Sequence, residues 1–255
     1  MSELLSSSLL LFLLIPGPSP FVSATPPTPS ATATLTVAAA SDLSTVAPEL
    51  QHRFESQNPN IRIRFVNGSS AMLAQQIANG APFDVFLSAN EAFVDQLARS
   101  SRILPATTRV YAVGRLGVLW RDGKPHPLRD LTTSQVRVLA LPNPELAPYG
   151  VAAQQALEYA GLWSMVQRKV VYGENVRQAL QFLDSGNADA VITSAALLQG
   201  RHADLIPAEW HKPIRQKGGI VSGTKQPELA HRFLDFLTGR DGQSILARFA
   251  FGAPE

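Results

Sequence analysis

One design recurs along the first two-thirds of this chain: a short apolar strand, a turn of small neutral polar residues, then an amphipathic helix. It reads LTVAAASDL from Leu35 to Leu43, RFVNGSSAML from Arg64 to Leu73 and, more loosely, VRVLALPNPELAPYGV from Val136 to Val151. Strands alternating with helices in this way restrict the fold to α/β layers with mostly parallel sheets. A helix start also presents unpaired N–H groups and the positive end of its dipole, so each turn is a potential anion pocket. Several such turns converging between two lobes would make a receptor for a small oxyanion.

The other classes of chemistry find little support. The 255 residues suffice for one large domain or two lobes of ordinary size. Lys and Arg (22) nearly balance Asp and Glu (20) and are scattered, which does not favour a nucleic-acid partner. The absence of cysteine excludes thiolate chemistry, cysteine-bound zinc and disulfides. The 5 histidines show neither zinc-protease spacing. There is no G-x-S-x-G elbow, no phosphate-binding P-loop and no G-x-G-x-x-G after a strand. Asp84 has no histidine or second acid at a suggestive spacing. The chain reads as a non-enzyme that needs no cofactor.

Leu9 to Ile15 form a short apolar run, broken by Pro16-Gly17-Pro18 and followed by Val22-Ser23-Ala24. This predicts a secretory signal over residues 1–24, cut after Ala24, and hence a periplasmic protein. The run is too short to span a bilayer. It departs from the usual pattern in having Glu3, and no Lys or Arg, before the apolar stretch. Residues 25–33 are rich in Pro and Thr and read as an extended linker.

Beyond the linker, strands are expected at Leu35–Ala40, Ile61–Val66, Val85–Leu87, Val110–Trp120, Val136–Leu141, Lys169–Tyr172 and Ala188–Thr193. Helices are expected from near Ser44, where Pro48 still fits a first turn, from Ser69/Ser70, after Asn90, over Val151–Ala160, from Val176, and over Pro227–Leu237 and Asp241–Phe249. The boundaries expected are 34–112 with 216–255 for a first lobe and 113–215 for a second. Hinges would lie near Tyr111–Gly114 and Pro213–Gly218.

Ser41, Asp42 and Ser70 sit where strands turn into helices, Tyr149 lies between Pro148 and Gly150, and Val176 follows Glu174-Asn175 in a first turn. Each has an ordinary reading as well. Ser41, Asp42 and Ser70 suit helix capping, Tyr149 a packed ring, and Val176 a core position in a first turn. From the residues alone, both readings stand.

Together, in order, the wording AAASDL, GSSAMLAQQI, NGAPFDVFLSAN, NPELAPYGVAA and ENVRQAL resembles the periplasmic molybdate-binding proteins of molybdate ABC importers, over roughly residues 34–250. The resemblance implies a two-lobed type II periplasmic binding protein fold with the ligand in the cleft. It implies that Ser41 and Ser70 donate from the first lobe, and Tyr149 and Val176 through backbone N–H groups from the second. These four would surround the metal as its oxyanion. A phenol that many relatives carry in the strand after the Val176 helix is replaced here by Thr193, which is expected in its place at the oxyanion, with Tyr149 as the compensating tyrosine. A carboxylate facing a dianion would repel it, so Asp42 is expected to cap its helix and offer only its backbone N–H. The implied ligands are molybdate and tungstate, and the implied partner is an inner-membrane ABC permease served by a monomer. Sulfate or another small anion, or a sensory ligand-binding domain, is the alternative.

Overall fold

The computed structural model describes residues 32–254; the signal segment, and all of the linker but its last residues, lie outside them. Strands β1 (Ala33–Ala40), β2 (Ile61–Gly68), β3 (Val85–Ser88) and β4 (Arg109–Gly114) build the first lobe with helices α1 (Ala47–Gln57), α2 (Ser70–Ala78) and α3 (Glu91–Arg99). The second lobe holds β5 (Leu116–Trp120), β6 (Leu139–Pro142), β7 (Val170–Gly173), β8 (Ala190–Ser194) and β9 (Asp204–Leu205), with α4 (Pro148–Tyr159), α5 (Trp163–Val166) and α6 (Val176–Asp184). The chain then returns through β10 (Ile214–Ile220) and closes with α7 (Pro227–Thr238) and α8 (Arg240–Arg248).

The two sheets share one plan. Their strand orders are β2-β1-β3-β10-β4 and β7-β6-β8-β5-β9. In each, the first three are parallel, and the fourth runs antiparallel after crossing from the other lobe. This is the two-lobed type II periplasmic binding protein fold. The expected single strand Val110–Trp120 is broken at Arg115, because its halves pair in different sheets. β4 stays in the first sheet to Gly114 and β10 joins it from Ile214. Val113, Gly114, Ile214 and Arg215, assigned above to the second lobe, therefore belong to the first-lobe sheet.

Alternation along the strands decides which side chains meet which helices. Leu35, Val37 and Ala39 of β1 face the α1, α7 and α8 layer, where Phe54 meets Phe233 edge-on at 5.4 Å between centroids. Ala38 turns to the opposite face, against Leu73 and Ile77 of α2 and Val94 and Leu97 of α3. In the second lobe Ala190 and Ile192 of β8 face α4, while Val191 faces Ala179 and Leu183 of α6. Both sheets are thus covered on both faces, as parallel sheets require. Among the described residues no helix is long and apolar enough to cross a membrane.

The first turn departs from the expected helix near Ser44. Ser41–Ser44 form a four-residue 3-10 turn, and α1 begins only at Ala47, with Pro48 in its first turn. Proline has no N–H to give, so it suits a helix's first positions and would break an α-helix running on from Ser41.

Candidate functional site

The turns that follow the first strands of each lobe meet at the lobe interface. Ser41, Asp42, Ser69, Ser70, Tyr149, Asn175 and Val176 are among the residues that wall a small cavity there of about 10 Å3, about the room that one water molecule needs. None of its described lining residues is Lys or Arg.

Each turn is built so that donors remain for the cavity. Ser69, not Ser70, caps α2, accepting the Met72 N–H at 3.3 Å. Ser70 follows as the first helical residue and is buried. Its Oγ accepts the Ala89 N–H at 3.0 Å, which leaves its own proton to be given elsewhere. At α4, Pro148 carries no N–H, so Tyr149 supplies the first one the helix presents. At α6, Asn175 Oδ1 accepts from Arg177 N at 3.0 Å and Gln178 N at 3.1 Å. The remaining first-turn N–H is that of Val176, in the cavity wall.

Close packing fixes the second-lobe turns. A methyl at Gly150 would lie 2.2 Å from the Pro142 carbonyl, and one at Gly173 would lie 2.5 Å from the Ala179 nitrogen. The A-P-Y-G wording therefore has a mechanical cause: only glycine lets α4 start this close to the end of β6. Asp84, in the N-G-A-P-F-D stretch, ties down the first lobe by accepting from Thr36 N at 2.7 Å and Thr224 Oγ1 at 2.6 Å.

Two expected roles are corrected. Thr193 is fully buried, and its hydroxyl donates to the Val176 carbonyl at 2.9 Å, so it braces the α6 start instead of facing the cavity. Asp42 does not cap a helix with its side chain. Its Oδ2 accepts the Tyr149 hydroxyl across the lobes at 2.8 Å and the amide of Gln216 from β10. Tyr149 thus spends its phenol proton on Asp42, and is no substitute for the phenol that Thr193 replaces. Burial raises the Asp42 pKa, an effect that the bonds from Tyr149 and Gln216 oppose. Burial, and then the Asp42 charge, hold the Tyr111 and Tyr149 hydroxyls well above the ordinary tyrosine range.

Gln216, Tyr111 and Gly114 fall in the expected hinge segments but were not among the site residues expected from sequence. Gln216 had a signal: it shares the inward phase of β10 with the buried Ile214 and Gly218, and a buried amide there needs partners. Further bonds cross the cleft from Ala71 N to Leu146 O at 3.3 Å and from Thr45 Oγ1 to Ala196 O at 2.9 Å. Among the described residues no cluster of three or more His, Asp or Glu could hold a bare metal ion.

Two matched lobes, two crossings and a small donor-walled cavity between them define a solute receptor. A model of the bacterial extracellular solute-binding protein family matches residues 35–252. The molybdate-binding protein ModA of Azotobacter vinelandii is 30% identical over 226 residues, covering 85% of this chain and 88% of that protein. The putative ABC transporter substrate-binding lipoprotein YvgL of Bacillus subtilis is 29% identical over 97% of this chain and 96% of its own length. Among solved structures, the periplasmic molybdate-binding protein of Azotobacter vinelandii superposes with a TM-score of 0.81 at 28% identity, over 87% of this chain and 100% of that one. The sulfate-binding protein SubI of Mycobacterium tuberculosis, at 14% identity and a TM-score of 0.70, shares the fold alone. The chain belongs to the bacterial extracellular solute-binding proteins, as a relative of the ModA molybdate-binding proteins, and is a binding protein rather than an enzyme.

Proposed function

We propose that this protein binds molybdate, and tungstate with it, in the cavity between its lobes, and hands the ion from the periplasm to an inner-membrane ABC permease. The observation that carries the reading is the wall of the cavity: hydroxyl and backbone N–H donors from both lobes, with no cationic side chain and one acid, Asp42, whose Oδ2 is taken by Tyr149 and Gln216. Hydroxyl and backbone N–H groups make charge-assisted bonds to a dianion without a counter-ion. The small cavity disfavours larger solutes, and the names of the relatives point to molybdate among small oxyanions.

Ser41, Ser70, Tyr149 and Val176 are the proposed ligand contacts, with the backbone N–H of Asp42 beside them. Hinge motion about the two crossings would open and close the cavity. The test is a thermal-shift and calorimetric series on the mature protein with molybdate, tungstate, sulfate and phosphate. Marked stabilisation by the first two and little by the others is expected. Stabilisation by sulfate with none by molybdate would replace this reading with a sulfate receptor.

A further inference from the structure

A buried polar cluster drawn from four elements begins in the cavity wall, at Asp42 and Tyr149, and runs behind it to Tyr111 and Gln216. Tyr111 of β4 donates its hydroxyl to Gln216 Oε1 at 2.7 Å. Gln216 Nε2 in turn donates to Asp42 Oδ2 and lies 3.0 Å from the Tyr149 hydroxyl, which itself donates to Asp42 Oδ2. Asp42 belongs to the first-lobe turn, Tyr149 to the second-lobe helix start, and Tyr111 and Gln216 to the strands that lead to and from the crossings. Asp42, Tyr111, Tyr149 and Gln216 expose at most 1% of their surface. Asp42 Oδ1 has no partner among the described residues.

We infer that Asp42 is a positioning residue: its bond to the Tyr149 hydroxyl, supported by Gln216, latches the lobes together and holds the α4 start, with its Tyr149 N–H, against the ligand cavity. The inference rests on the proposed binding site for its setting, but not on which anion fills that site. Each bond of the cluster has a direction that suits closure. Tyr149 has one proton, and giving it across the cleft ends the need of a buried hydroxyl for an acceptor. A carboxylate is the strongest acceptor available for it, and low local dielectric strengthens the bond. When the lobes part, both groups must find water instead.

Gly114 gives an independent sign that the space was kept for this contact. It ends β4 at the crossing, and a methyl there would lie 2.3 Å from Tyr149 Oη, 2.8 Å from Cζ and 3.1 Å from Gln216 Nε2. The Tyr149 ring is buried and cannot swing aside. A glycine at the crossing is thus a condition for the latch to engage. The ligand cavity, the interlobe bond and the crossing are three parts of one contact chain.

The test compares wild type with Tyr149→Phe, which keeps the ring and the backbone N–H, and with Gly114→Ala, which wedges the tyrosine from the crossing without substituting any proposed ligand contact. Stopped-flow molybdate binding and small-angle scattering of the ligand-free proteins are the readouts. For Tyr149→Phe, the release rate should rise by about tenfold or more, the loss expected for a hydrogen bond to a charged group, while the arrival rate changes little. Gly114→Ala should act in the same direction, and the variants' ligand-free radius of gyration should exceed that of wild type. Equal release rates for wild type and Tyr149→Phe would overturn the latch. If wild type binds none of the four oxyanions, the receptor reading fails on its own account. Scattering then decides the latch, and an unchanged radius of gyration overturns it.

Discussion

Ser70 Oγ accepts the N–H of Ala89 at 3.0 Å, a bond between the first turn of α2 and the residue that follows β3. It fixes the serine rotamer and orients the remaining proton in a single step. Ser70→Ala removes a donor from the cavity and leaves the Ala89 N–H without its acceptor. Molybdate affinity measured by calorimetry should fall by about 1–3 kcal/mol, the usual cost of a lost hydrogen bond to a charged partner. The ligand-free protein should melt slightly earlier as well. An affinity equal to wild type would remove Ser70 from the binding site.

Gly150 tests whether the α4 start must sit where it does. Alanine there would push a methyl to 2.2 Å from the Pro142 carbonyl and 2.7 Å from the Pro144 nitrogen, both backbone atoms that cannot rotate away. The helix must shift, at an overpacking cost of about 1–3 kcal/mol. Because the same helix start carries the Tyr149 N–H, Gly150→Ala should lower both the melting temperature and the molybdate affinity. Gly223→Ala has nothing within 4 Å of the added methyl and serves as the control. Equal behaviour of the two variants would show that the α4 start has slack.

Much of this was legible because it follows from local chemistry. The period-2 and 3.6 patterns locate most strands and helices, and Pro227 marks where α7 begins, whereas α4 begins at Pro148 and not at the expected Val151. Of the residues that wall the cavity, Ser41, Asp42, Ser70, Tyr149 and Val176 were expected at a ligand site through the wording shared with a known family, while from the residues alone capping and packing read as well. What escaped depends on long-range pairing. The break at Arg115 cannot be seen in an apolar run whose two halves pair with different sheets. Asp42 was expected to cap its own turn, the local default for an aspartate, but Tyr149, Gln216 and the opposite lobe compete for its oxygen and win. Thr193 was misassigned for the same reason: a buried hydroxyl takes the nearest free carbonyl, and here that is Val176.

Asp189 carries structural weight far from the cavity. Its Oδ2 accepts Arg137 N at 2.7 Å and Val138 N at 2.9 Å, and its Oδ1 pairs with Arg121. Burial would raise its pKa, but the two backbone bonds and the Arg121 charge outweigh that and lower it. Asp189→Ala strips partners from two backbone N–H groups at the head of β6, a loss of about 1–3 kcal/mol of stability. Denaturant melts should show it, while molybdate affinity stays at the wild-type value. A loss of affinity without a loss of stability would contradict this assignment.

Asp42 supplies the pH test, and its sign is opposite to that of Asp189. Its folded pKa is raised from the ordinary 3.8, burial being the main cause. The hydroxyl of Tyr149, the amide of Gln216 and the backbone N–H groups of Asp42 and Leu43 favour its charged form without outweighing burial, and the two tyrosines that couple to it, Tyr111 and Tyr149, titrate far above neutrality. From pH 3.8 up to the raised value the folded protein therefore holds a proton that the unfolded chain has released. Within that window stability falls as pH rises, because the unfolded state binds fewer protons. Asp42's favourable contribution is complete below 3.8 and is lost as pH climbs through its folded pKa. Asp42→Asn cannot ionise, and its amide oxygen still accepts from Tyr149. The melting temperature of the variant minus that of wild type should therefore grow as pH is raised from 3.8 through the folded pKa of Asp42, then level off. The opposite trends of Asp189 and Asp241, whose pKa values are lowered, are common to both proteins and cancel in the difference. A difference that is flat across this range would mean that Asp42 titrates alike in the folded and unfolded chains. A difference that shrinks with rising pH would mean that the folded protein prefers the carboxylate, held by Tyr149 and Gln216 more strongly than burial opposes it.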